Sequence, residues 1–213
     1  DSGSRDASVQ EALKLPGNPV VIKGENHGFG FGNNRCLEKI ETTYTLLLNS
    51  DASIDADSLG NLVEFLDANP DYAGVQPLIR LWDWQKVTVS SGVFLTPYGE
   101  AWDSRFMHLE LSPLKNVLHV PAITAAVSLW RTEALKSVNG FDEDYVKAAV
   151  GEDVDIEWRL RAYGASFESV KFKAIQYHLY HNHSILKIGT SYVEYLNVLN
   201  SKFWSVADEL KPS

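Results

Sequence analysis

Four carboxylates crowd the segment VGEDVDIEWRLRAYG, residues 150–164. Acidic side chains in the first turn of a helix gain about 0.3–1 kcal/mol each from the helix dipole, which accounts for Asp155 and Glu157. Glu152 and Asp153 stand at the start of the same predicted helix. The pattern therefore leaves two interpretations open: a well-started helix, or a helix that directs one of these carboxylates at a substrate.

A second polar pair ends an apolar stretch. The segment LLLNSDAS, residues 46–53, begins like a strand buried on both faces of a parallel sheet and runs into Asn49 and Asp51. Ligands of open α/β sheets collect beyond the carboxyl ends of the strands. A carboxylate two positions from a carboxamide can bind a hard divalent cation that also holds phosphate oxygens. The alternative is that Asp51 starts a turn and Asp55 caps the next helix.

The glycine-rich segment NHGFGFGNN, residues 26–34, stands between a predicted strand and a predicted helix. Its glycines allow either a close approach of the backbone to a phosphate or ribose, or a tight turn with positive φ. A dinucleotide-binding fingerprint does not fit, because Asn33 stands where the third glycine, counted from Gly28, belongs.

Histidines cluster in YHLYHNH, residues 177–183, at the end of another predicted strand. A zinc site built from all three is disfavoured, because a single strand places His178 and His181 on opposite faces. One histidine serving as a metal ligand or substrate contact is the interpretation left open.

Composition narrows the classes of function. The 213 residues carry a formal net charge of −9 without any basic block, which argues against a nucleic-acid partner held by its phosphates. A single cysteine, Cys36, excludes an intrachain disulfide and suits a reducing compartment. The longest uncharged apolar run, residues 117–130, is too short to span a bilayer. Because the chain begins with Asp1 rather than Met, we expect it to be part of a longer protein.

Helix and strand signals alternate over the first 80 residues, as in doubly wound α/β sheets. Helices are predicted over residues 4–14, 33–41 and 55–70, and strands over residues 18–24, 44–51 and 73–80. Further along, the pattern predicts a hairpin over 86–97, a strand over 123–130, a helix over 131–139, a strand over 166–180 and a helix over 191–210. We expect one domain over residues 1–185 and a C-terminal helical extension over residues 186–213.

Six motifs occur in a characteristic order: DSGSRDAS, NHGFGFGNN, LLLNSDASIDADSL, VNGFDEDY, GEDVDIEWRLRAYG and YHLYH. Together they resemble the family 2 glycosyltransferases, especially the bacterial rhamnosyltransferase-like branch, over residues 1–185. The resemblance implies the GT-A fold, an α/β fold with a mostly parallel, Rossmann-like sheet flanked by helices, a small antiparallel part and a C-terminal helix. It also implies that two strands of that fold precede Asp1, which would make this chain N-terminally incomplete.

The same resemblance assigns a nucleotide-sugar site by position. Asp1 matches an acid that helps to hold the nucleotide base, and the loop of residues 26–34 is expected near the nucleotide. Asp51 matches the ligand of a divalent cation, Mg²⁺ or Mn²⁺, and of the pyrophosphate, while Asn49 departs from the usual two-acid form. The implied nucleotide-sugar-binding set is Asp1, Asn26, Gly28, Phe29, Asn33, Asn49 and Asp51.

The resemblance also implies catalytic roles for residues of the GEDVDIEWRLRAYG and YHLYH motifs. Asp153 matches the catalytic base of the family, and Glu152 is the other half of its Glu-Asp pair. His178 or His181 stands where some members have a metal-binding histidine, so the implied metal ligands are Asp51 and these two histidines. Inversion at the anomeric carbon is the outcome that the resemblance implies.

The expected function is transfer of a sugar from a dTDP- or UDP-linked donor to a hydroxyl of a glycan or lipid-linked glycan. An acceptor sugar could stack on Trp82, Trp84, Trp102 or Tyr98, although core packing is the commoner role of such aromatics. We expect a cytoplasmic protein in peripheral contact with the inner face of the membrane, and a homo-oligomer. The alternative is a non-catalytic nucleotide-sugar- or glycan-binding module of the same fold, or an inactive fragment.

Overall fold

The computed structural model describes residues 1–95, 101–111, 117–143, 156, 159–160 and 164–178, with the backbone alone for residues 168–178. The helices that it describes from end to end are α1 (Ser8–Ala12), α2 (Phe29–Leu37), α3 (Ser58–Ala68) and α4 (Thr132–Ser137). Its strands are β1 (Tyr44–Leu48), β2 (Ala52–Ile54), β3 (Tyr72–Leu81), β4 (Val87–Ser90), β5 (Val93–Leu95), β6 (Ala101–Asp103), β7 (His108–Leu109), β8 (Leu118–His119), β9 (Val127–Arg131) and β10 (Ser166–His178). Within these residues, none of the helices has the length and apolar character needed to cross a bilayer.

A mixed sheet positions the candidate site, with its main strands in the order β1-β9-β3-β10-β2. β3 and β10 are parallel, whereas β9 is antiparallel to both β1 and β3, and β2 is antiparallel to β10. As a result β1, β3 and β10 point in one direction. A mostly parallel sheet was expected. The directions of β1, β3 and β10 agree with this expectation, but the pairing of neighbouring strands does not. Most pairings of the described strands are antiparallel, because β9 returns between β1 and β3.

Two hydrophobic clusters cover the two faces of this sheet. On one face, α3 packs Leu62 and Leu66 against Val75 and Leu129. On the other face, Trp130 belongs to a cluster that also contains Leu47, Ile123, Leu135, Phe141, Ile156, Leu160 and Phe167. Leu129 and Trp130 are neighbours in β9, and successive side chains of a strand point to opposite faces. Each fully buried side chain of this size contributes about 1.5–3 kcal/mol.

The predicted strand over residues 18–24 does not form. Val20 is 84% exposed, and the only described partner of this segment is Asp1, whose terminal ammonium donates to the Ile22 carbonyl at 2.7 Å. The Gly24 amide donates in turn to the Asp1 carbonyl at 3.0 Å. An apolar run becomes a strand when a neighbouring strand satisfies its backbone groups, and a single residue cannot provide that ladder.

The predicted hairpin over residues 86–97 is also wrong. β4 pairs with β3 and β7, whereas β5 pairs with β6 in a separate two-stranded sheet. Between β4 and β5, Gly92 adopts φ +117°, and a Cβ at this position would lie 2.4 Å from Cγ1 of Val120. The glycine lets the chain turn away from β4 and run against the 120–122 segment, where the Val93 amide donates to the Ala122 carbonyl at 2.8 Å.

Arg131, the last residue of β9, ties the sheet to the end of α3. Its Nε donates to the Tyr72 carbonyl at 2.9 Å, and its Nη2 donates to the carbonyls of Leu66 at 2.6 Å and Asn69 at 3.3 Å. The guanidinium lies 5.6 Å from the ring centroid of Tyr44. Burial raises the pKa of the Tyr44 hydroxyl above its ordinary value. The carbonyls of Leu66 and Asn69 also accept from the backbone amides of Asn69 and Tyr72. A planar group with several fixed donors adds charge-assisted hydrogen bonds to these carbonyls at the end of α3.

We expect Arg131→Lys to lower the free energy of unfolding by about 1.5–3 kcal/mol, because the ammonium keeps the charge but cannot reach all three carbonyls. Urea denaturation followed by circular dichroism measures the change. Arg5→Lys, at an exposed position, serves as the control and should change the free energy by less than about 0.5 kcal/mol. Equal effects of the two substitutions would contradict the role given to Arg131.

Candidate active site

A cleft of about 400 Å³ lies between the first turns of α2 and the end of β1. Its walls combine apolar and hard-oxygen groups: Phe29, Asn33, Leu47, Leu48, Asn49, Ser50 and Asp51. Four of the seven residues predicted to bind a nucleotide sugar therefore meet in one place: Phe29, Asn33, Asn49 and Asp51. Leu47, Leu48 and Ser50 were not among the predicted site residues, although their position at the end of the same strand was a usable signal.

A tight turn directs the end of β1 into the cleft. The Asn49 amide donates to the Ala126 carbonyl at 2.9 Å, one residue beyond the β1–β9 ladder. The Ala52 amide then donates to the Asn49 carbonyl at 3.1 Å, and the chain continues into β2. The alternative that Asp51 starts a turn is confirmed, and the same turn places Asp51 in the cleft wall. Its second part, that Asp55 caps the next helix, is wrong, because the N-cap residue of α3 is Asp57 and no side-chain hydrogen bond caps this helix.

The donor set of the cleft suits a hard divalent cation. A carboxamide oxygen from Asn49 and a carboxylate from Asp51 are the ligand types that Mg²⁺ and Mn²⁺ accept. Asp51 is half-buried, and its Oδ1 atom is inaccessible to solvent. In the part of the chain that the structure describes, no group of three acidic, histidine or cysteine residues forms a complete cage. The described residues therefore fit a cation that takes its remaining ligands from elsewhere, such as phosphate oxygens or water.

The start of α2 is shaped by its glycine-rich sequence. Gly28 has φ +97° and ψ 175°, and its amide donates to Oδ1 of Asn26 at 3.1 Å. Asn33 donates from Nδ2 to the Phe29 carbonyl at 2.9 Å, one helical turn earlier. Because residues four apart share a helix face, Phe29 and Asn33 line the cleft together. Asn26 and Gly28 therefore shape the cleft through the backbone and are not among its lining residues.

Asp1 lies outside the cleft wall. Its carboxylate accepts from the amides of Gly3 and Ser4, each at 3.3 Å, and is exposed. The neighbouring Ser2 comes close to α2, since a Cβ at Gly32 would lie 4.0 Å from its Oγ. The role of Asp1 toward a nucleotide base stays a prediction.

The predicted metal ligand His178 is brought close to Asp51 by strand pairing. β10 pairs with β2 so that His178 is opposite Ala52, the residue after Asp51. On its other side His178 is opposite Leu81 of β3. Glu152, Asp153 and His181 lie outside the described residues, so their roles stay predictions. The C-terminal extension over residues 186–213 lies outside them as well.

The tryptophans proposed for acceptor stacking are not core residues. Trp84 is 66% exposed and Trp102 is 63% exposed, and Trp82 is also largely accessible. The commoner interpretation, core packing, is therefore wrong for these three side chains. Tyr98 lies outside the described residues, so its role in acceptor stacking stays a prediction.

Comparison with known proteins identifies the family. The family model "Glycosyl transferase family 2" matches residues 1–131, more than half of the chain. The chain belongs to glycosyltransferase family 2. A second model, "N-terminal domain of galactosyltransferase", matches residues 105–182. No curated protein gave a sequence match.

Solved structures resemble this family 2 chain over most of its length. GalNAc-T7 with UDP, GalNAc and Mn²⁺ matches with a TM-score of 0.66 at 14% identity, over 85% of this chain and 36% of that chain. The mannosyltransferase PcManGT from Pyrobaculum calidifontis, in complex with GDP-Man and Mn²⁺, matches with a TM-score of 0.54 at 16% identity, over 82% and 45% of the two chains. S. aureus TarS 1-349 in complex with UDP-GlcNAc matches with a TM-score of 0.56 at 18% identity, over 86% and 49%.

These similarities confirm the GT-A fold expected from the sequence. Identities below one in five establish the fold and do not transfer a substrate. The chain spans less than half the length of each of these three proteins.

We expect Gly28→Ala to destabilise this family 2 chain by about 1–3 kcal/mol, because φ +97° with ψ 175° is a conformation that is essentially restricted to glycine. Gly60→Ala is the matched control, since Gly60 lies within α3 with open space around it. This control should instead stabilise the protein by about 0.5–1 kcal/mol through its helix propensity. Thermal unfolding measures both changes, and a neutral Gly28→Ala would show that the start of α2 does not require this backbone.

Proposed function

We propose that this protein transfers a sugar from a nucleoside diphosphate sugar to a hydroxyl group, with inversion at the anomeric carbon. The observation that carries the proposal is the single cleft in which the glycine-rich start of α2 meets Asn49, Ser50 and Asp51. Structurally similar proteins contain UDP with Mn²⁺, GDP-Man with Mn²⁺, or UDP-GlcNAc. We extend these ligand classes, a nucleoside diphosphate sugar and a divalent cation, to this chain as part of the proposal.

In this proposal Asn49 and Asp51 hold the cation, and His178 or His181 contributes a further ligand. A bound Mg²⁺ or Mn²⁺ would act as a Lewis acid toward the departing diphosphate. Phe29 and Asn33 form the opposite wall of the cleft. An aromatic side chain and a carboxamide on one rigid helix face suit a planar, hydrogen-bonding group such as a nucleotide base or ribose. Holding the donor on two rigid elements lowers the entropic cost of an in-line reaction.

Asp153 is proposed as the general base that accepts the proton of the acceptor hydroxyl, with Glu152 orienting it. A single direct displacement inverts the configuration at the anomeric carbon. Proton transfer to a positioned carboxylate contributes about 10²–10⁴-fold to a rate of this kind. The sequence places Asp155 and Glu157 in the same segment, where stabilisation of the helix start accounts for them.

The finer assignments follow the motif order in the sequence. We propose that the chain is of the rhamnosyltransferase-like branch, uses a dTDP- or UDP-linked donor, and acts on a glycan or lipid-linked glycan. The exposed Trp84 and Trp102 would provide flat surfaces for such an acceptor. A cytoplasmic location in peripheral contact with the membrane, and self-association, complete the proposal.

Replacing Asp51 tests the cation site. Asp51→Asn removes a negative charge from the cleft, so we expect the affinity for nucleoside diphosphates in the presence of Mn²⁺ to fall at least about tenfold. Isothermal titration with UDP, GDP and dTDP, each with and without Mn²⁺, measures the effect. Asp57→Asn is the matched control, because it makes the same change of charge at an exposed side chain that caps no backbone group. Unchanged affinity in Asp51→Asn would remove Asp51 from the proposed site.

Replacing Asp153 tests the base. We expect Asp153→Asn to lower the transfer rate about 10²–10⁴-fold while nucleotide affinity stays within threefold, since the carboxamide keeps the shape but cannot accept a proton. Release of nucleoside diphosphate, measured with a panel of donors and glycan acceptors, gives the rate. Asp155→Asn is the control and should lose less than about tenfold. A loss of only a few fold in Asp153→Asn would show the base assignment to be wrong.

Wild-type protein separates the proposed enzyme from the alternative of a non-catalytic binding module. Both bind a nucleoside diphosphate sugar, but only the enzyme releases nucleoside diphosphate when an acceptor is added. Binding without release across the acceptor panel would favour the binding module.

A further inference from the structure

Asn34, in α2, makes a reciprocal pair of hydrogen bonds with the backbone of Phe141, 107 residues away along the chain. Its Nδ2 donates to the Phe141 carbonyl and its Oδ1 accepts from the Phe141 amide, each at 2.8 Å. The same Nδ2 also donates to Oε1 of Glu143 at 3.0 Å. One carboxamide therefore holds the loop of residues 140–143 against α2. An ionised carboxylate could not replace it, because a carboxylate accepts hydrogen bonds but does not donate them.

Two glycines permit this close approach. Gly140 has φ +69°, and a Cβ at this position would lie 2.2 Å from Oδ1 of Asn34. A Cβ at Gly30, in α2, would lie 3.1 Å from Cβ of Phe141 and 3.3 Å from the Asp142 carbonyl oxygen. The loop backbone thus rests directly on the helix, at a distance that larger residues at either position would not allow.

The other side of the loop is held by Arg159. Its Nη1 donates to the Val138 carbonyl and its Nη2 donates to the Gly140 carbonyl at 2.8 Å. Phe141 is 3% exposed and belongs to the same core cluster as Ile156. In the sequence, Glu152 and Asp153 stand between Phe141 and Ile156. The chain is therefore anchored in one core before and after the segment that contains the proposed base.

The loop also touches a wall of the cleft. The rings of Phe29 and Phe141 meet edge to face, with their centroids 5.5 Å apart and their planes at 82°. Phe29 lines the cleft together with Asn33, and Asn34 is the next residue of the same helix. One short helix thus presents Phe29 and Asn33 to the proposed donor and Asn34 to the loop.

We propose that Asn34 is a positioning residue for the transfer reaction, which couples occupation of the cleft to the loop that leads into the Glu152–Asp153 segment. This inference rests on the proposed function, because it takes a nucleoside diphosphate as the occupant of the cleft. The coupling works through α2: a ligand that stabilises Phe29 and Asn33 also stabilises the helix from which Asn34 holds Phe141 in place.

Amide hydrogen exchange tests the coupling directly. The probe is whichever of UDP, GDP or dTDP, with Mn²⁺, gives the largest thermal shift of the wild-type protein. In wild type, we expect the probe to slow exchange both in α2 and in peptides covering residues 138–143. In Asn34→Ala, exchange in α2 should still slow, whereas the slowing at residues 138–143 should fall about tenfold, because the two hydrogen bonds to Phe141 are gone.

Asn69→Ala is the matched control. Asn69 also donates from Nδ2 to a backbone carbonyl, that of Phe65 at 2.7 Å, but it lies at the end of α3. It should lower the melting temperature to a similar degree without changing the coupling. A loop that is still protected by the probe in Asn34→Ala would overturn the role of Asn34. Failure of every nucleotide to bind wild type would instead overturn the proposed function, and the coupling with it.

Asn34→Asp supplies a readout that a merely structural role would not give. At about pH 8 its carboxylate accepts from the Phe141 amide, but it faces the Phe141 carbonyl and Glu143 without a proton to donate. The Glu143 carboxylate favours protonation of the new carboxyl, whereas the Arg159 guanidinium on the Gly140 carbonyl opposes it. At about pH 5.5 a protonated carboxyl can donate again. We expect the affinity for the probe, relative to wild type at the same pH, to be about tenfold lower at the higher pH and within about threefold at the lower pH. A deficit that does not depend on pH would overturn the proposed role of the Asn34 donor.

Discussion

The position of the cleft depends on how β9 pairs with its two neighbours. Leu48 of β1 is opposite Val127, and one residue further along the Asn49 amide donates to the Ala126 carbonyl. The turn that follows carries Asp51 into the cleft wall. Because side chains alternate along a strand, a shift of one residue in this register would move every side chain of β1 to the other face. The β1–β9 pairing therefore decides which residues beyond Leu48 reach the site.

Trp130 fixes the pairing of β9 with its other neighbour, β3. It is opposite Gly74 of β3, and a Cβ at Gly74 would lie only 3.0 Å from its ring. The indole nitrogen donates to Oγ of Ser128 at 2.7 Å, and the ring packs edge to face on Phe167 of β10. β10 in turn carries His178 to its place opposite Ala52. Trp130 is also opposite Thr45 of β1, so this fully buried indole links β1 to β10, the strand that ends at His178. Close packing leaves little freedom to shift either strand.

The two walls of the cleft differ in their chemistry. The segment after β1 supplies carboxamide, hydroxyl and carboxylate oxygens, which are atom types that suit a hard cation, while the first turns of α2 supply an aromatic ring and a carboxamide. The remaining face of α2 holds the 140–143 loop through Asn34. A nine-residue helix is too short to be stable alone, so its packing against this loop is what makes it a rigid wall. The cleft wall formed by Phe29 and Asn33 and the loop of residues 140–143 are for this reason parts of one packed unit.

The sequence by itself determined the family, the strands near residues 44–48, 72–81 and 127–131, the amphipathic helix α3, and four residues of the cleft. These features follow from local periodicity, turn residues and motif order, which neighbouring residues encode. Only the tertiary structure decided the pairing partners. It left the apolar run around Val20 without a ladder and sent β5 to β6 instead of β4. It also joined Asn34 to Phe141, because a hydrogen bond between a side chain and a backbone 107 residues away leaves no periodic signal in the sequence.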